Sequence, residues 1–451
     1  MSRFKSRLLN ILFWSVVSAA FIGPGTVTTA TKAGANFQFD LLWALVFSTF
    51  ACLLLQEASA RITINSGLNL GQAIAKQFEG KSTRMLALIL VIGAIVLGSA
   101  AYETGNILGS IAGLSLIFDI PKNYMVIGIG ILAVLALSLK SIPTIARIMG
   151  GIVFLMGIAF FTTAIQLGPS IPAVIKGSVI PSIPDTEGAG LLILGLIGTT
   201  VVPYDLFLGS GVLDKKQAIS EMRFGLSVAV ILGGVISMAI MTVGTVITTE
   251  FTYEALSQAL TYNIGPYAVY IFGFGMFAAG FSSAITAPLA SAITARSLFD
   301  NNSNEKWKTK GRYFRMIYLG VLAVGLIFGL ADVKPIPAII LAQALNGLIL
   351  PFVSIFLIYV INDPLLMGEN NTNRWFSNIL MGIVIWVTLI IGTINIIKAL
   401  GKVAGSQGLL GDHVVIIVAI ISFIASTGIL LAIRKFKLNR ERLIVRENEF
   451  E

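Results

Sequence analysis

Long apolar stretches recur along almost the whole chain, and they constrain its fold more than any other feature. Each is long enough to cross the roughly 30 Å of a bilayer's hydrocarbon core as a helix. Because backbone N–H and C=O groups find no hydrogen-bond partners in lipid, such a chain is expected to be an all-α polytopic membrane protein. About twelve stretches lie near residues 11–34, 40–60, 84–113, 124–140, 145–168, 188–211, 223–248, 266–298, 314–332, 337–361, 376–400 and 413–434.

The composition supports a membrane protein and excludes several other classes. Only 12% of the 451 residues are charged and 56% are hydrophobic, whereas about a quarter of the residues in soluble domains are charged. The formal charge of +9 is spread over short loops and tails, which argues against a nucleic-acid partner. The only cysteine, Cys52, excludes an intrachain disulfide and a cysteine-based metal cluster. We therefore predict one transmembrane domain over residues 1–451.

The distribution of lysine and arginine predicts the orientation in the membrane. Basic residues concentrate in alternate loops, and the loop after the eighth stretch is the richest, with six between Arg296 and Arg315. The positive-inside rule then places both termini in the cytoplasm. The first stretch is too long for a signal peptide and has no cleavage site, so it is predicted to be retained. We expect a multi-pass protein of a bacterial inner membrane, a monomer or weak homo-oligomer, whose partners are lipid and a transported ion or solute.

Two of the apolar stretches are interrupted near their middle. The first contains Gly23-Pro24-Gly25, and the sixth contains Val202-Pro203. Proline removes a backbone donor and disrupts a helix, and glycine weakens it further. Interrupted helices in matching positions of two halves point to the substrate site of a secondary transporter.

The five-helix separation of the two breaks predicts a LeuT-type fold with a 5+5 inverted repeat. The first repeat would cover 11–168 and the second 188–361, followed by two additional helices over 376–434 and a cytoplasmic tail over 435–451. An odd number of helices in each repeat inverts the second copy relative to the first.

The residues around the breaks are candidates for the substrate site. Gly23 and Gly25 would expose backbone to a water-filled cavity, although a packing kink is the alternative. Thr26 and Asp205 could contact the substrate or a cation, or could instead cap the half-helices. Thr199 precedes the second break, where helical carbonyl groups lose their partners.

Polar residues in two other stretches suggest a coupling site. Glu103 lies deep in the third stretch, and Asn106 follows on the same helical face. A carboxylate at that depth is costly and usually functional, so this pair could form an ion or proton pathway; a hydrogen-bonded structural role is the alternative. Gln343 and Asn346 share a face of the tenth stretch, either at the site or as polar contacts between helices.

Four segments resemble the Nramp (natural resistance-associated macrophage protein) family. They resemble the first two, the sixth, the eighth and the tenth helices of that family and lie in the same order. The resemblance implies a LeuT fold and proton-linked import of divalent transition metals, with no cofactor. The segments are residues 23–61, 198–210, 278–288 and 342–352.

The main departures from the family pattern fall on its metal ligands. The family's Asp-Pro-Gly-Asn motif corresponds to 23–26, which reads Gly-Pro-Gly-Thr, so both side-chain ligands are absent. The family's Met-Pro-His corresponds to Val202-Pro203-Tyr204, so the thioether that favours soft transition metals is also absent. These positions define Val202 and Tyr204 as further candidate site residues.

Other family positions are replaced or retained. The second histidine of the sixth helix corresponds to Gly209, and the acidic pair of the third helix corresponds to Glu103 and Asn106. The tenth-helix glutamine is retained as Gln343. The resemblance thus leaves Asp205, with Thr26, Thr199 and Gln343, as the possible metal ligands.

Two transport functions remain open from the sequence. One is transport of a divalent cation with altered selectivity, in which a hard ion such as Mg²⁺ is favoured over Mn²⁺ or Fe²⁺ and proton coupling is doubtful. The other is transport of a small anionic or zwitterionic solute held at half-helix N-termini, with a non-transporting relative as a further alternative. The sequence contains no motif of a membrane enzyme.

Overall fold

The structure, a computed structural model, describes residues 22–138, 142–184, 186, 188–299, 305–403 and 412–450. The described residues form helices joined by short loops, and none of them lies in a β-strand. The helices are α1 (Pro24–Phe37), α2 (Leu42–Ser66), α3 (Leu70–Gln77), α4 (Arg84–Ser115), α5 (Lys122–Ser138), α6 (Ile142–Gln166), α7 (Ile171–Val179), α8 (Ala189–Thr200), α9 (Pro203–Val212), α10 (Ile219–Gly244), α11 (Tyr253–Ile264), α12 (Ala268–Phe299), α13 (Arg312–Leu330), α14 (Pro335–Ile361), α15 (Pro364–Met367), α16 (Trp375–Val403) and α17 (Asp412–Phe450).

The long helices follow the apolar stretches of the sequence. In the described part of the chain, ten helical segments are long and apolar enough to cross a membrane, counting α8 and α9 together as one. Helix α5 is shorter, at 17 residues, but is equally apolar. The first predicted span is represented by α1, since residues 11–21 lie outside the described ranges. An integral, multi-pass membrane protein is therefore confirmed.

The structure adds elements that the apolar pattern did not predict. Helices α3, α7, α11 and α15 are short and connect the long helices. Helix α3 starts with a capping box, in which the side chains of Asn69 and Gln72 each accept a hydrogen bond from the other's backbone N–H. The last helix does not end near residue 434 but continues to Phe450, since its charged extension can form i,i+4 pairs such as Lys437–Glu441 at 3.9 Å.

The helices around the two breaks pack at very short range. Helices α4 and α12 approach so closely that a Cβ atom on Gly113 would lie 2.5 Å from the carbonyl oxygen of Gly273. Small residues permit this approach where lipid provides no driving force for helix association. The segment Ala189–Val212, which contains the break of the sixth predicted span, is almost entirely buried within the bundle.

Candidate functional site

The sixth predicted span is interrupted as the sequence indicates. Helix α8 ends at Thr200, and the N–H of Val201 donates to the carbonyl oxygen of Ile197 at 2.8 Å. Helix α9 begins at Pro203, with Val202 in extended conformation before it. In the first span, Gly23 is extended and α1 begins at Pro24; the half preceding this break lies outside the described residues.

Helices α1 and α9 begin in the same way. Each has proline in its first turn, and in neither does an N-cap side chain accept a hydrogen bond from a backbone N–H of the helix. Gly23 and Val202 occupy the N-cap positions, so Thr26 and Asp205 are each the third residue of their helix. The capping interpretation of Thr26 and Asp205 is therefore wrong, because an N-cap side chain must precede the first helical residue.

The start of α1 and the end of α8 contact each other directly. The hydroxyl oxygens of Thr26 and Thr199 are 2.9 Å apart, and both side chains are completely buried. The hydroxyl of Thr29, one turn further along α1, donates to the carbonyl oxygen of Gly25 at 2.8 Å. Between Thr26 and Thr199, a hydrogen bond takes the place of the expected water-filled cavity, because α1 and α8 pack closely enough for the two hydroxyls to meet.

Gln343 of α14 reaches the first turn of α1. A Cβ atom on Gly25 would lie 2.3 Å from its amide nitrogen, and 2.9 Å from the hydroxyl of Thr199. A side chain at position 25 would therefore displace the Gln343 amide or the Thr199 hydroxyl. The amide oxygen of Gln343 is buried and accepts no hydrogen bond within the described ranges, so it is available to a ligand.

Asp205 is the acidic residue of the site. It is only 4% exposed, and no hydrogen bond to its carboxylate occurs among the residues that the structure describes. Its charge is close enough to the Cys52 thiol and the Tyr102 phenol to interact with both. A buried carboxylate without hydrogen-bond partners is costly, which indicates that it meets another group in some state of the protein.

Tyr102 and Tyr204 form the aromatic part of the site. Their rings pack edge to face with centroids 5.4 Å apart. The hydroxyl of Tyr102 hydrogen-bonds to that of Thr199, whereas the buried hydroxyl of Tyr204 has no partner in the described part of the chain. Tyr204 replaces a family histidine and brings a third unpaired oxygen to the centre, after those of Asp205 and Gln343.

Glu103 and Asn106 interact as their spacing predicts. The amide of Asn106 donates to one carboxylate oxygen of Glu103 at 3.2 Å, and the other carboxylate oxygen is buried without a partner among the described residues. The Glu103 side chain packs against Gly325 of α13, where an added Cβ atom would lie 2.6 Å from its Cγ atom. The pair thus lies between α4 and α13 and borders the site through Tyr204, with which Glu103 interacts electrostatically.

Sequence reasoning missed two residues that position the breaks. The first is Tyr102, which hydrogen-bonds to Thr199. The second is Gly109, which accommodates the ring of Pro24: a Cβ atom added to Gly109 would lie 2.0 Å from the Cβ atom of Pro24. Gly98, Gly105 and Gly109 are spaced by seven and four residues on α4, a pattern typical of close helix contact. That spacing could have identified the face of α4 that meets the site.

The site's candidate donors are oxygen atoms. They are the carboxylate of Asp205, the hydroxyls of Thr26, Thr199 and Tyr204, and the amide oxygen of Gln343. Within the described ranges, the chain holds no group of three or more His, Cys, Asp or Glu residues that could bind a metal ion. Oxygen donors with a single carboxylate suit a hard, partly hydrated cation better than a soft one.

A cavity of about 850 Å³ lies beyond the C-terminal end of α1. Its lining combines three lysines with three acidic residues, and Tyr253 of α11 is part of it. The hydroxyl of Thr28 donates to the carbonyl oxygen of Pro24 at 2.6 Å, so the Tyr253 hydroxyl, 2.7 Å away, donates to Thr28. This chain of hydrogen bonds connects α11 to the break. The charged residues are Lys32, Lys122, Lys334, Glu250, Glu254 and Asp332.

Replacing Tyr253 with phenylalanine is expected to lower stability by about 1 kcal/mol, the usual value of one hydrogen bond. Burial raises the pKa of the Tyr253 phenol above its usual range, and the negative charge of Glu254 adds to the rise. Because the folded-state pKa is the higher one, the stabilisation is complete below about pH 10 and is lost as pH rises through the folded-state value. Thermal unfolding of both proteins at pH 7 and pH 10.5 should show the difference shrinking at the higher pH; an unchanged difference would contradict this assignment.

The fold and site define an α-helical membrane transporter with interrupted helices. A crystal structure of the Eremococcus coleocola manganese transporter superposes with a TM-score of 0.70 at 20% identity, over 99% of this chain and 96% of that one. Mhp1, a nucleobase-cation-symport-1 family transporter, superposes with a TM-score of 0.57 at 15% identity, over 95% and 93%. The LeuT-type fold predicted from the two breaks is thereby confirmed.

Sequence comparison establishes the family. The family model described as "Natural resistance-associated macrophage protein-like" matches residues 15–398, and the chain belongs to the Nramp family. The Klebsiella pneumoniae protein named "Divalent metal cation transporter MntH" is 24% identical over 86% of this chain and 93% of its own length. The Bacillus subtilis protein of the same name is 25% identical over 80% and 86%. Members of this family are transporters and not enzymes, as the sequence predicted.

Proposed function

We propose that the protein is a secondary transporter of a hard divalent cation, with Mg²⁺ as the leading candidate. The names of its relatives support divalent cations as the substrate class. The donor set supports the shift in selectivity, because the thioether and imidazole positions of the family are Val202 and Tyr204. Magnesium prefers oxygen ligands and keeps several of its waters, so few protein ligands suffice.

The observation that carries this proposal is the buried carboxylate of Asp205 beside the break in the sixth helix. It provides a negative charge in the first turn of α9, just after the end of α8, where the last carbonyl groups of a helix lack partners within the helix. The amide oxygen of Gln343 is unpaired among the described residues. We propose Asp205, Gln343, Thr26 and Thr199 as the ligands, with Tyr204 and the backbone of Gly23 and Gly25 completing the site and Val202 lining it. The Thr26–Thr199 bond would open when the ion enters.

We further propose that proton coupling is weak or absent. Among the family's proton-path positions, Glu103 retains a titratable side chain but Asn106 does not. An asparagine hydrogen-bonded to Glu103 at 3.2 Å cannot pass a proton onward as a carboxylate would. Glu103 and Asn106 would then serve as an ion pathway or as structure. We also propose that the protein lies in a bacterial inner membrane with both termini in the cytoplasm. It would be a monomer or a weak homo-oligomer, with the repeat boundaries given above.

Uptake into proteoliposomes tests the proposal directly. The purified protein should carry Mg²⁺ inward down an imposed gradient, with Mn²⁺ competing less well than it does in the Eremococcus coleocola manganese transporter measured in parallel. Internal pH should stay constant during uptake if coupling is absent. The absence of any Mg²⁺, Mn²⁺ or Ca²⁺ flux under all gradients would overturn the cation assignment.

One observation favours a second candidate function, transport of a small organic anion or zwitterion. Helices α1 and α9 both begin without a side-chain cap, and Gly23 provides no carboxylate at the first break. Free N–H groups and the helix dipole at such ends attract negative charge.

Thermal-shift measurements separate the two candidates, because a ligand bound only by the folded state raises the unfolding temperature. With ligand at a hundred times its Kd, the stabilisation is about 2.7 kcal/mol. We expect MgCl₂ to raise the unfolding temperature of the wild type but not of Asp205→Asn, with choline chloride as the ionic-strength control. Stabilisation by amino acids or small carboxylates, without any by divalent cations, would favour the organic substrate instead.

A further inference from the structure

A second cavity, of about 610 Å³, lies on the side of the protein that carries the basic loops. It is bounded by the C-terminal half of α2, the start of α10 and the segment leading into α16. It combines three arginines with a single acidic residue, Glu57. The substrate site does not use any of these residues. The arginines are Arg61, Arg223 and Arg374.

The inner part of the charge cluster is fixed by hydrogen bonds. The guanidinium of Arg61 donates to both carboxylate oxygens of Glu57, at 3.1 and 3.3 Å, and to the carbonyl oxygen of Asn371 at 3.1 Å. The second terminal amino group of Arg61, Nη2, donates to the side-chain oxygen of Asn373. Arg223 donates twice to one oxygen of Glu57, at 2.9 and 2.7 Å. One carboxylate therefore serves two arginines.

The outer part of the cluster retains uncompensated positive charge. Arg223 is 56% exposed, and Glu57, its only acidic partner among the described residues, is shared with Arg61. Arg374 is exposed on the opposite wall, without an acidic partner in the part of the chain that the structure describes. Two exposed arginines thus line the cavity, and arginine is the side chain best suited to planar recognition of phosphate.

The opposite end of the cavity is apolar. Phe50, Leu53 and Leu54 of α2 line it, and Phe50 is 44% exposed. From Phe50 to Arg61 a helix rises about 16 Å, at 1.5 Å per residue. The cavity therefore runs from the hydrocarbon region to the membrane surface, with apolar side chains at one end and arginines at the other.

We infer that this cavity binds an anionic phospholipid, with the phosphate at Arg223 and Arg374 and an acyl chain along Phe50, Leu53 and Leu54. Basic pockets between transmembrane helices at the membrane surface have the chemistry that recognises such headgroups. A soluble phosphate would use the arginines but not the apolar end. The bound lipid would also connect α10 to the start of α16. These two parts of the bundle already contact α2 through Glu57 and Arg61.

Native mass spectrometry of the purified full-length protein tests the inference, with phosphatidylglycerol, phosphatidylcholine and inorganic phosphate titrated separately. We expect phosphatidylglycerol to bind and to raise the unfolding temperature, and the other two to do neither. In the double variant Arg223→Gln/Arg374→Gln, phosphatidylglycerol affinity should fall by about thirtyfold, since each basic residue near an anionic lipid contributes on the order of a factor of five. Both side chains are exposed, so the variant should fold.

A matched variant, Lys310→Gln/Arg312→Gln, removes two exposed charges from another basic loop on the same side. It should bind phosphatidylglycerol as the wild type does. Equal binding of phosphatidylcholine, unchanged affinity in the Arg223/Arg374 variant, or equal loss in the matched variant would each overturn the lipid site. Displacement of phosphatidylglycerol by millimolar inorganic phosphate would show a soluble-anion site and would overturn it as well.

Discussion

The variant Asp205→Asn is expected to abolish divalent-cation uptake in proteoliposomes. Asparagine preserves the size of the side chain and one oxygen donor but removes the negative charge. Asp205 is the only carboxylate proposed as a ligand. Loss of a residue that merely orients a metal ligand typically costs about 10- to 100-fold in affinity, so loss of a ligand itself should cost at least 100-fold.

Stability should move in the opposite direction. Because the Asp205 carboxylate is buried without a hydrogen bond from the described residues, its neutral replacement removes a desolvation cost. Asp205→Asn should therefore unfold at the same temperature as the wild type or higher, when no divalent cation is present. This combination distinguishes a ligand from a residue required for folding.

The control is Glu305→Gln, which removes a carboxylate that is 82% exposed and paired with Lys308 in a loop. It should transport as the wild type does, because surface ion pairs contribute little. Wild-type uptake by Asp205→Asn would exclude Asp205 as a ligand. Loss of uptake together with a markedly lower unfolding temperature would instead identify Asp205 as a structural residue.

The largest expected effect on stability comes from Gly198→Ala in α8. A Cβ atom at this position would lie 2.0 Å from the carbonyl oxygen of Gln343 and 2.5 Å from the backbone nitrogen of Gly347. Backbone atoms of a packed helix cannot move away as a flexible side chain can. Overpacking of this kind costs about 1–3 kcal/mol and occasionally more, and it would also displace Gln343 from the break in α1.

Gly93→Ala is the matched control, since a Cβ atom built at Gly93 of α4 has no described atom within 4 Å apart from its chain neighbours and the backbone of its own helix. Alanine there should be neutral or should stabilise the helix by up to about 1 kcal/mol. Thermal unfolding of both purified variants measures the difference, and uptake assays show whether displacing Gln343 also lowers transport. Equal unfolding temperatures for the two variants would mean that α8 and α14 do not pack as closely as described.

The lengths of the apolar stretches and the positions of the prolines were sufficient to predict the long helices and the break before Pro203. This was possible because lipid imposes simple local rules: a spanning segment needs about twenty apolar residues, and proline cannot donate a backbone hydrogen bond. The i,i+3 contact of Glu103 with Asn106 followed from helical geometry, which is equally local.

Contacts between distant residues were decided by tertiary packing. The Thr26–Thr199 bond joins positions separated by 173 residues, and the fit of Pro24 against Gly109 depends on how α1 meets α4. Neither follows from local sequence rules. The capping interpretation failed for a related reason. Threonine and aspartate are residue types that can cap a helix, but the start of each helix was set by its proline and by the packing around it.

The sequence by itself determined that this chain crosses the membrane many times and that two of its helices are candidates for interruption, since both properties depend on runs of neighbouring residues in a solvent that cannot hydrogen-bond. Only the tertiary structure decided which oxygen atoms surround the breaks. Helices α4, α8 and α14 bring Tyr102, Thr199 and Gln343 to one point, because small residues such as Gly198 let the backbones of α8 and α14 approach within contact distance.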